Sequence, residues 1–505
     1  MGSNVAPSLW QTTAAETNFP RLEERFLVDV AIVGGGIVGV TTGALLKEAR
    51  KTVAVVEMGR IGQGTTGFTT AKLTVGHGLV YREIASRHGP EAARLYAEAN
   101  QAAIGLAEEQ VRRRDIDCDW EPASNYVYAE SSERARDVRE ELEAAVAAGV
   151  DATLTSETDL PFAVAAALRV DRQAQFHPLK YLQGLATSIP GEGSHVFEQS
   201  RATGVRSGGL YTVETQAGVV QARHVVIATQ LPFLDRGLFF ALAHPAKSYV
   251  VAARIEEGRA PRGMYISADR PTRSVRSAPG PDGFRYLLVA GETGSPGQDS
   301  AERYEALERF LRERYGMDAE SRWSAHDFMP VDGLPYVGRL RRRDDRVFVA
   351  TGFAKWGLTN GTAAAALLTD TILGRPNRWA ALYDAKRVKP GASAKKLVTG
   401  NGQVALHFLG DRLRPRPGKD ELERLAPGEG AIARIGGRHY AVYRDDPGEL
   451  QALSARCTHL GCLVAWSCAD HAWECPCHGS RFAADGTLVQ GPATRDLERR
   501  QLPTR

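Results

Sequence analysis

The 505-residue sequence has no excess of charge of one sign: 63 Lys and Arg stand against 60 Asp and Glu, interspersed, for a net charge of +3. That balance argues against a nucleic-acid or anionic-membrane surface. The short basic run Arg341-Arg342-Arg343 is answered at once by Asp344 and Asp345 and reads as a solvated turn. Met1 to Asn18 lacks the apolar core of a secretory signal, so a cytoplasmic protein is expected. No stretch reads as a membrane span. Residues 28–46 are mostly apolar, but Asp29 and the glycines from Gly34 to Gly43 suit a strand, a turn and a helix. Internal repeats and low-complexity tracts are also missing. What remains, 43% hydrophobic and 24% charged, is an ordinary globular composition with length for about three domains.

Cysteine is scarce, yet four of the six fall together: Cys457-Thr458-His459-Leu460-Gly461-Cys462 is answered by Cys475-Pro476-Cys477-His478-Gly479-Ser480. Cys457 pairs with His459 in the first stretch and Cys475 with His478 in the second. Two thiolates and two imidazoles from two loops are the donor set of a Rieske 2Fe-2S centre, where two Cys hold one iron and two His the other. The same donors could hold a tetrahedral structural zinc, and cysteines of a large chain can be plain core residues. Neither alternative accounts for the glycine after each ligand pair or for the extra cysteine of each loop. Cys118 and Cys468 lie outside the pattern and read as structural.

Near the other end, the β-branched run Val28 to Val33 leads into Gly34-Gly35-Gly36-Ile37-Val38-Gly39 and a helical stretch through Leu45 and Leu46. Gly34 suits a tight turn, Gly36 the approach of a pyrophosphate to the helix N-terminus, and Gly39 close packing on the strand. A second strand, Thr52 to Val56, ends at Glu57 and Met58, where an acid accepts ribose hydroxyls. The plain alternative is a glycine-rich turn that holds no nucleotide.

Residues 80–150 alternate helical patterns with little else, chiefly Glu91 to Arg114 and Glu133 to Ala148. His177-Pro178 opens a helix to Ile189. Strands are expected at His195 to Val205, Tyr211 to Thr215, Val219 to Ala228, Tyr249 to Ala253 and Tyr265 to Ser267. A hairpin is expected over Arg273 to Ala290, turned at Asp282-Gly283. A helix from Ala301 to Arg314 precedes a second strand, glycines and helix, Val347 to Leu358 and then Thr362 to Ile372. Residues 386–424 carry lysines and prolines and read as a tether, with the apolar Val404 to Leu409 inside it. Short strands and turn markers beyond Gly430 make a small β domain.

Several of these stretches carry a resemblance. Gly62-Gln63-Gly64-Thr65-Thr66-Gly67 with Thr70-Ala71-Lys72-Leu73, and later Gly352 to Leu358, resemble flavin loops of the D-amino-acid oxidase and glycine oxidase superfamily. The cysteine and histidine loops resemble the Rieske motif of cytochrome bc-type proteins. The order of parts is similar to the YhfW-like family, which fuses the two. The resemblance implies FAD and a 2Fe-2S cluster as cofactors. It implies Gly34, Gly36, Ile37, Val38, Gly39, Glu57, Met58, Thr65 and Thr66 at the nucleotide, Thr70, Ala71, Lys72 and Leu73 beside the isoalloxazine, and Val205 by the adenine. Thr229 would close the sheet, Gly357 and Leu358 would meet the pyrimidine end, and Gly352 and Trp356 would also bind the cofactor. Cys457, His459, Cys475 and His478 would ligate the cluster, with Cys462 and Cys477 as a disulfide between the loops. Phe482 is a departure, standing where respiratory Rieske proteins usually have a tyrosine that donates to a cluster sulfur.

The implied fold is an α/β FAD-binding domain, Rossmann-like and of glutathione-reductase type, with an α+β substrate domain and a small C-terminal all-β Rieske domain. The expected division is an arm over 1–24, the FAD-dependent oxidoreductase over 25–385, a linker over 386–424 and the Rieske domain over 425–505. Within the oxidoreductase, nucleotide-binding parts are expected near 25–80, 180–235 and 325–385, and the substrate domain near 81–179 and 236–324. The expected activity is oxidation of a small molecule, an amine or amino acid, by hydride transfer to FAD, with electrons passed singly to an external acceptor. A reductase fed by NAD(P)H and a non-catalytic redox sensor are the alternatives. His77, Tyr81, Tyr249, His326, Lys355 and Trp356 lie beside cofactor-near segments and are the substrate-site candidates; no catalytic base is assigned.

Overall fold

The structure is a computed structural model that describes residues 6–234, 237–280, 283–298, 300–341, 344–387 and 416–503. Arg342, Arg343, Asp282 of the expected hairpin turn and residues 388–415 of the expected tether, Val404 to Leu409 among them, lie outside the described residues.

The first sheet grows from the strand Arg25–Val33, whose last four residues are all buried. A strand apolar on both faces belongs inside a parallel sheet covered on both sides. It pairs in parallel with Val53–Val56 on one edge and Val219–Ile227 on the other. His195–Phe197 and Asp344–Thr351 extend the sheet in parallel on either side. Two helices cover one face, Ile37–Glu48 and Gly357–Ile372, both apolar nearly all round. They pack closely because Gly361 faces Ile37, where a Cβ would come within 2.8 Å of the isoleucine side chain.

The second sheet has nine strands and roofs the first. Its long strand Ala243–Glu256 pairs antiparallel with Phe284–Gly294 and with Ser321–Pro330. Three expectations fail here. Residues 80–150 do hold the helices Pro90–Arg114 and Ser132–Ala147, but Glu121–Ala129 between them is a strand inside this sheet, paired with Met264–Ser267 and Ala166–Gln175. Pro122 and the buried Asn125, whose amide donates to the Met264 carbonyl at 3.3 Å, break the alternation that would have signalled it. The strand expected over His195 to Val205 is two strands, broken where Gln199 takes φ +48° and its N–H turns to the Gly59 carbonyl. Residues 325–330, expected in the nucleotide part, belong to the roofing sheet instead, because their whole strand is zipped to Ala243–Ala252.

The C-terminal region forms two four-stranded sheets, the first built on Gly430–Ile435, Arg438–Arg444 and Leu450–Ser454, the second on Ala465–Ser467, Ala472–Glu474, Arg481–Ala483 and Leu488–Gln490. Its core holds Cys457, Cys462, Cys475 and Cys477 with Trp473 and Phe482, and Met58 of the first domain packs against it.

Candidate cofactor sites

A cavity of about 710 Å³ opens at the C-terminal ends of the parallel strands. The turn that shapes it is dictated by glycine. Gly34 takes φ +112°, and a Cβ there would meet the Ala228 carbonyl oxygen at 2.4 Å; a Cβ on Gly39 would lie 1.9 Å from the Gly34 oxygen. At the N-terminus of the helix, the Ile37 N–H donates to Thr66 Oγ1 at 3.2 Å, and Gly36, Ile37 and Val38 line the cavity. Free N–H groups and the helix dipole favour an anion there. Glu57 closes this end, its carboxylate accepting from Gly35 N at 2.7 Å and Gly59 N at 2.8 Å. Burial raises its pKa, which those two amide bonds partly offset.

Of the expected nucleotide contacts, Gly34, Gly36, Ile37, Val38, Glu57, Met58, Thr65, Thr66, Thr70, Lys72, Thr229, Trp356, Gly357 and Leu358 line the cavity. Five do not. Gly39 is a packing position; Ala71 and Leu73 are buried behind the wall, and Val205 is a core residue of a hairpin. Gly352 takes φ +76° in a turn against Pro330. Lys72 Nζ donates to Ser274 Oγ at 2.6 Å and to the Tyr265 carbonyl, and burial, helped by Arg276, holds its pKa well below the usual lysine value.

Among the substrate-site candidates, only Lys355 and Trp356 reach the cavity. Ala354 and Lys355 both take positive φ, 52° and 73°, a conformation costing about 1–2 kcal/mol per residue. It is held by the Lys355 N–H donating to Asp327 Oδ2 at 2.5 Å and the Ala354 N–H to the Phe328 carbonyl at 3.2 Å. His77 lies one layer behind, stacked on Trp356 with ring centroids 4.4 Å apart and bonded to Tyr96 and Thr359. Burial lowers its pKa to about 3, so the ring is neutral. Tyr81 donates to the Val75 carbonyl in the same buried layer, and Tyr249 sits under Lys247 away from the cavity. These residues are core, drawn there by their aromatic area rather than by chemistry.

The two cysteine and histidine loops fold against one another. The Cys457 N–H donates to the Cys462 carbonyl and the Cys475 N–H to the Ser480 carbonyl, each at 2.8 Å. Cys462 and Cys477 are joined by a disulfide. The sulfurs of Cys462, Cys475 and Cys477 lie within 4.8 Å of one another, but the disulfide takes two of them out of metal binding. That leaves Cys457 and Cys475, both buried, reduced and hydrogen-bonded to each other. The rings of His459 and His478 stand 5.0 Å apart. His478 Nδ1 is buried and takes no hydrogen bond among the described residues, and burial lowers the ring's pKa to about 3, so it is neutral as a metal ligand must be. An orphaned imidazole nitrogen beside two reduced thiols fits a 2Fe-2S cluster, and the anion-seeking helix end with an acid beyond it fits FAD.

Sequence reasoning missed how the sites meet. Val489 to Thr494 of the C-terminal domain line the same cavity as Gly34 to Val38. Ala493 N donates to Ser480 Oγ at 3.1 Å, and the Ser480 hydroxyl in turn bonds Cys457. Behind the cavity a buried charge network crosses the boundary: Lys247 Nζ lies 2.5 Å from Asp470 and 2.8 Å from Glu474, and Arg481 lies 3.1 Å from Asp470. His326, expected near substrate, belongs here; its ring faces Gly479 O and Glu474 Oε1, each at 3.2 Å. Isolated Lys, Asp, Glu and Arg carry no spacing signal, so nothing in the sequence marks them.

Comparison with known proteins bears on this geometry. Residues 29–371 match the family model "FAD dependent oxidoreductase" (DAO), and residues 419–501 match the Rieske [2Fe-2S] domain. The chain is 34% identical over 498 residues to the Rieske 2Fe-2S iron-sulfur protein YhfW of Bacillus subtilis (strain 168), covering 98% of this chain and 97% of that one. It is 23% identical over 428 residues to gamma-glutamylputrescine oxidoreductase of Escherichia coli (strain K12), covering 78% and 95%. The fold is that of glycine oxidase from Geobacillus kaustophilus, with TM-score 0.61 and 21% identity over 72% of this chain and all of that one. Among the described residues no helix is long and apolar enough to cross a membrane. This chain belongs to the DAO family of FAD-dependent oxidoreductases and carries a Rieske 2Fe-2S domain at its C-terminal end.

Proposed function

We propose that the protein oxidises a small amine or amino acid at FAD and passes the electrons singly, through the Rieske cluster, to an external one-electron acceptor in the cytoplasm. The observation that carries this reading is the shared cavity wall, in which the C-terminal domain supplies Val489 to Thr494 to the site that Gly34 to Val38 open. Amine chemistry is supported by the relatives, one named for gamma-glutamylputrescine and a structural neighbour named for glycine.

When bound, FAD supplies hydride acceptance and the cluster one-electron carriage. The chain's own residues do the rest. Glu57 would hold the ribose, the first-turn amides beside Thr66 would hold the pyrophosphate, and Gly357 with Leu358 would meet the pyrimidine end. Lys355 and Trp356 on their strained turn, with Thr293 bonded to Lys355 Nζ at 2.6 Å, form the substrate end. Lys72, whose amine burial holds well below the usual lysine value, borders the same space.

Anaerobic titration tests the reading. A panel of amines and amino acids should include members that bleach the flavin absorbance, and the reduced Rieske EPR signal should follow. Bleaching by NADPH with no response to any amine or amino acid would reverse the direction of electron flow and overturn the proposal.

A further inference from the structure

His326 stands between the flavin cavity and the second ligand loop. It sits in the strand Ser321–Pro330, whose side chains alternate between two faces. Its neighbours Ala325 and Asp327 line the flavin cavity. Its carbonyl accepts from two other cavity residues, Thr65 Oγ1 at 3.1 Å and Gln230 Nε2 at 2.6 Å. Its ring points the other way, to the carbonyl of Gly479, which follows the ligand His478 directly, and to Glu474, which precedes the ligand Cys475. One strand thickness therefore separates the cavity from the second ligand loop.

The two histidine ligands are also unequal. His478 is buried, packed edge-on to Phe240 of the first domain at 5.6 Å. His459 is half-buried and is followed by Leu460, one of the few large apolar side chains left 40% exposed. Gly479 is tight against the first domain, since a Cβ there would come within 3.0 Å of Pro245.

The geometry points to His326 as a positioning residue that pins the His478 loop to the 321–330 strand, fixing the Rieske domain in one seat with His478 as the inward ligand and His459 as the outward one. The inference rests on the proposed direction of electron flow. With both cofactors bound, the reduced flavin would give up one electron at a time on the His478 side, itself oxidised by one electron as one ferric iron becomes ferrous. The same electron leaves on the His459 side to a one-electron acceptor, returning the iron to the ferric state before the second arrives.

The test uses the full-length holoprotein and no substrate. FAD is photoreduced by a light flash with EDTA as donor, and cluster reduction is followed by absorbance and rapid-freeze EPR. In the parent, the rate should be independent of viscosity as sucrose is added. His326→Phe, with the parent's FAD and iron content, should slow the transfer at least tenfold, and His326→Gln, which keeps one N–H donor, should recover most of it. A parent rate that falls with viscosity, or His326→Phe transferring at parent speed with full cofactor content, overturns the fixed seat. Should His326→Phe fail to keep its cluster, the viscosity series on the parent decides alone. If photoreduced FAD never reduces the parent cluster, the proposed function falls, and this seat with it, an outcome distinct from slowed transfer.

Discussion

Lys247 of the flavoprotein part and Glu474 of the Rieske domain meet at 2.8 Å with neither side chain exposed to solvent. Burial alone would lower the lysine's pKa, but Glu474 and Asp470 more than offset it and leave it raised. Removing one partner of such a pair strands a buried charge, at a cost of about 3–5 kcal/mol. Lys247→Met should lower the thermal midpoint of the holoprotein by several degrees and loosen the domain contact, read by calorimetry and by amide exchange over residues 470–481. An unchanged midpoint would show that the network is not what joins the domains.

The same network sets a pH dependence with two edges. Burial would raise the Asp470 carboxyl, but Arg481 and Lys247 hold it well below the usual value. A depressed acid stabilises the fold above its unfolded value, near 4, and that stability is lost as pH falls through the folded value. Lys247 is raised, so its contribution is complete below its unfolded value near 10.5 and fades as pH rises through the folded one. Thermal midpoints of parent and Lys247→Met, measured from pH 4 to 11, should begin to draw together above about pH 10.5. A constant gap across that range would remove Lys247 ionisation from the account.

Much of this arrangement is legible in the sequence where local chemistry is demanding. Gly34 sits at φ +112° against a carbonyl, and no other residue type tolerates that, so the turn announces itself. The proposed ligand pairs of the cluster stand out equally in the sequence, because the two donors of each loop are only two or three residues apart. What is not legible depends on partners far away. The strand Glu121–Ala129 is made by its neighbours, and Val205, which packs in a hairpin, looks in sequence like any residue of a nucleotide fold. His326 could be placed near the cofactors but not assigned a side, since alternation gives two faces and only the fold says which one meets the cavity.

Glu57 should matter for retention of FAD. Its carboxylate gathers two backbone amides and stands where the ribose is proposed to lie. Hydrogen bonds to a charged group contribute about 1.5–3 kcal/mol, so Glu57→Ala should weaken FAD binding by roughly 10- to 150-fold. Fluorescence titration of the deflavinated variant reads this directly. Parent affinity in the variant would take Glu57 out of the nucleotide site.

Hydrogen bonds to cluster sulfur favour the reduced state, and Ser480 supplies one to Cys457 while also accepting from Ala493 N. A net bond of about 1 kcal/mol corresponds to roughly 40 mV for one electron. Ser480→Ala should lower the potential by about that much, and Phe482→Tyr should raise it, because the phenylalanine in this fully buried strand has nothing to donate. Protein-film voltammetry on variants with parent iron content checks both signs. If neither variant moves the potential, sulfur hydrogen bonding at these positions does not tune the cluster.

The order of electron flow gives the most decisive expectation. His478→Ala removes one of the two nitrogen donors proposed for the second iron, and the variant should lose its Rieske EPR signal. The glycine turn, Glu57 and the 357–372 helix do not touch that ligand, so FAD should remain bound. A substrate found in the anaerobic panel should still bleach the flavin of this variant in a single turnover, within about twofold of the parent rate, since the proposed hydride transfer takes place at the cavity and needs no iron. Steady-state turnover with a one-electron acceptor should instead fall by two orders of magnitude or more, because the reducing equivalents have lost their exit. Stopped-flow flavin reduction beside a steady-state assay of the same preparation separates the two rates. Loss of flavin reduction with FAD still bound would make the cluster part of the substrate chemistry, and turnover that survives without the cluster would mean the acceptor meets the flavin directly.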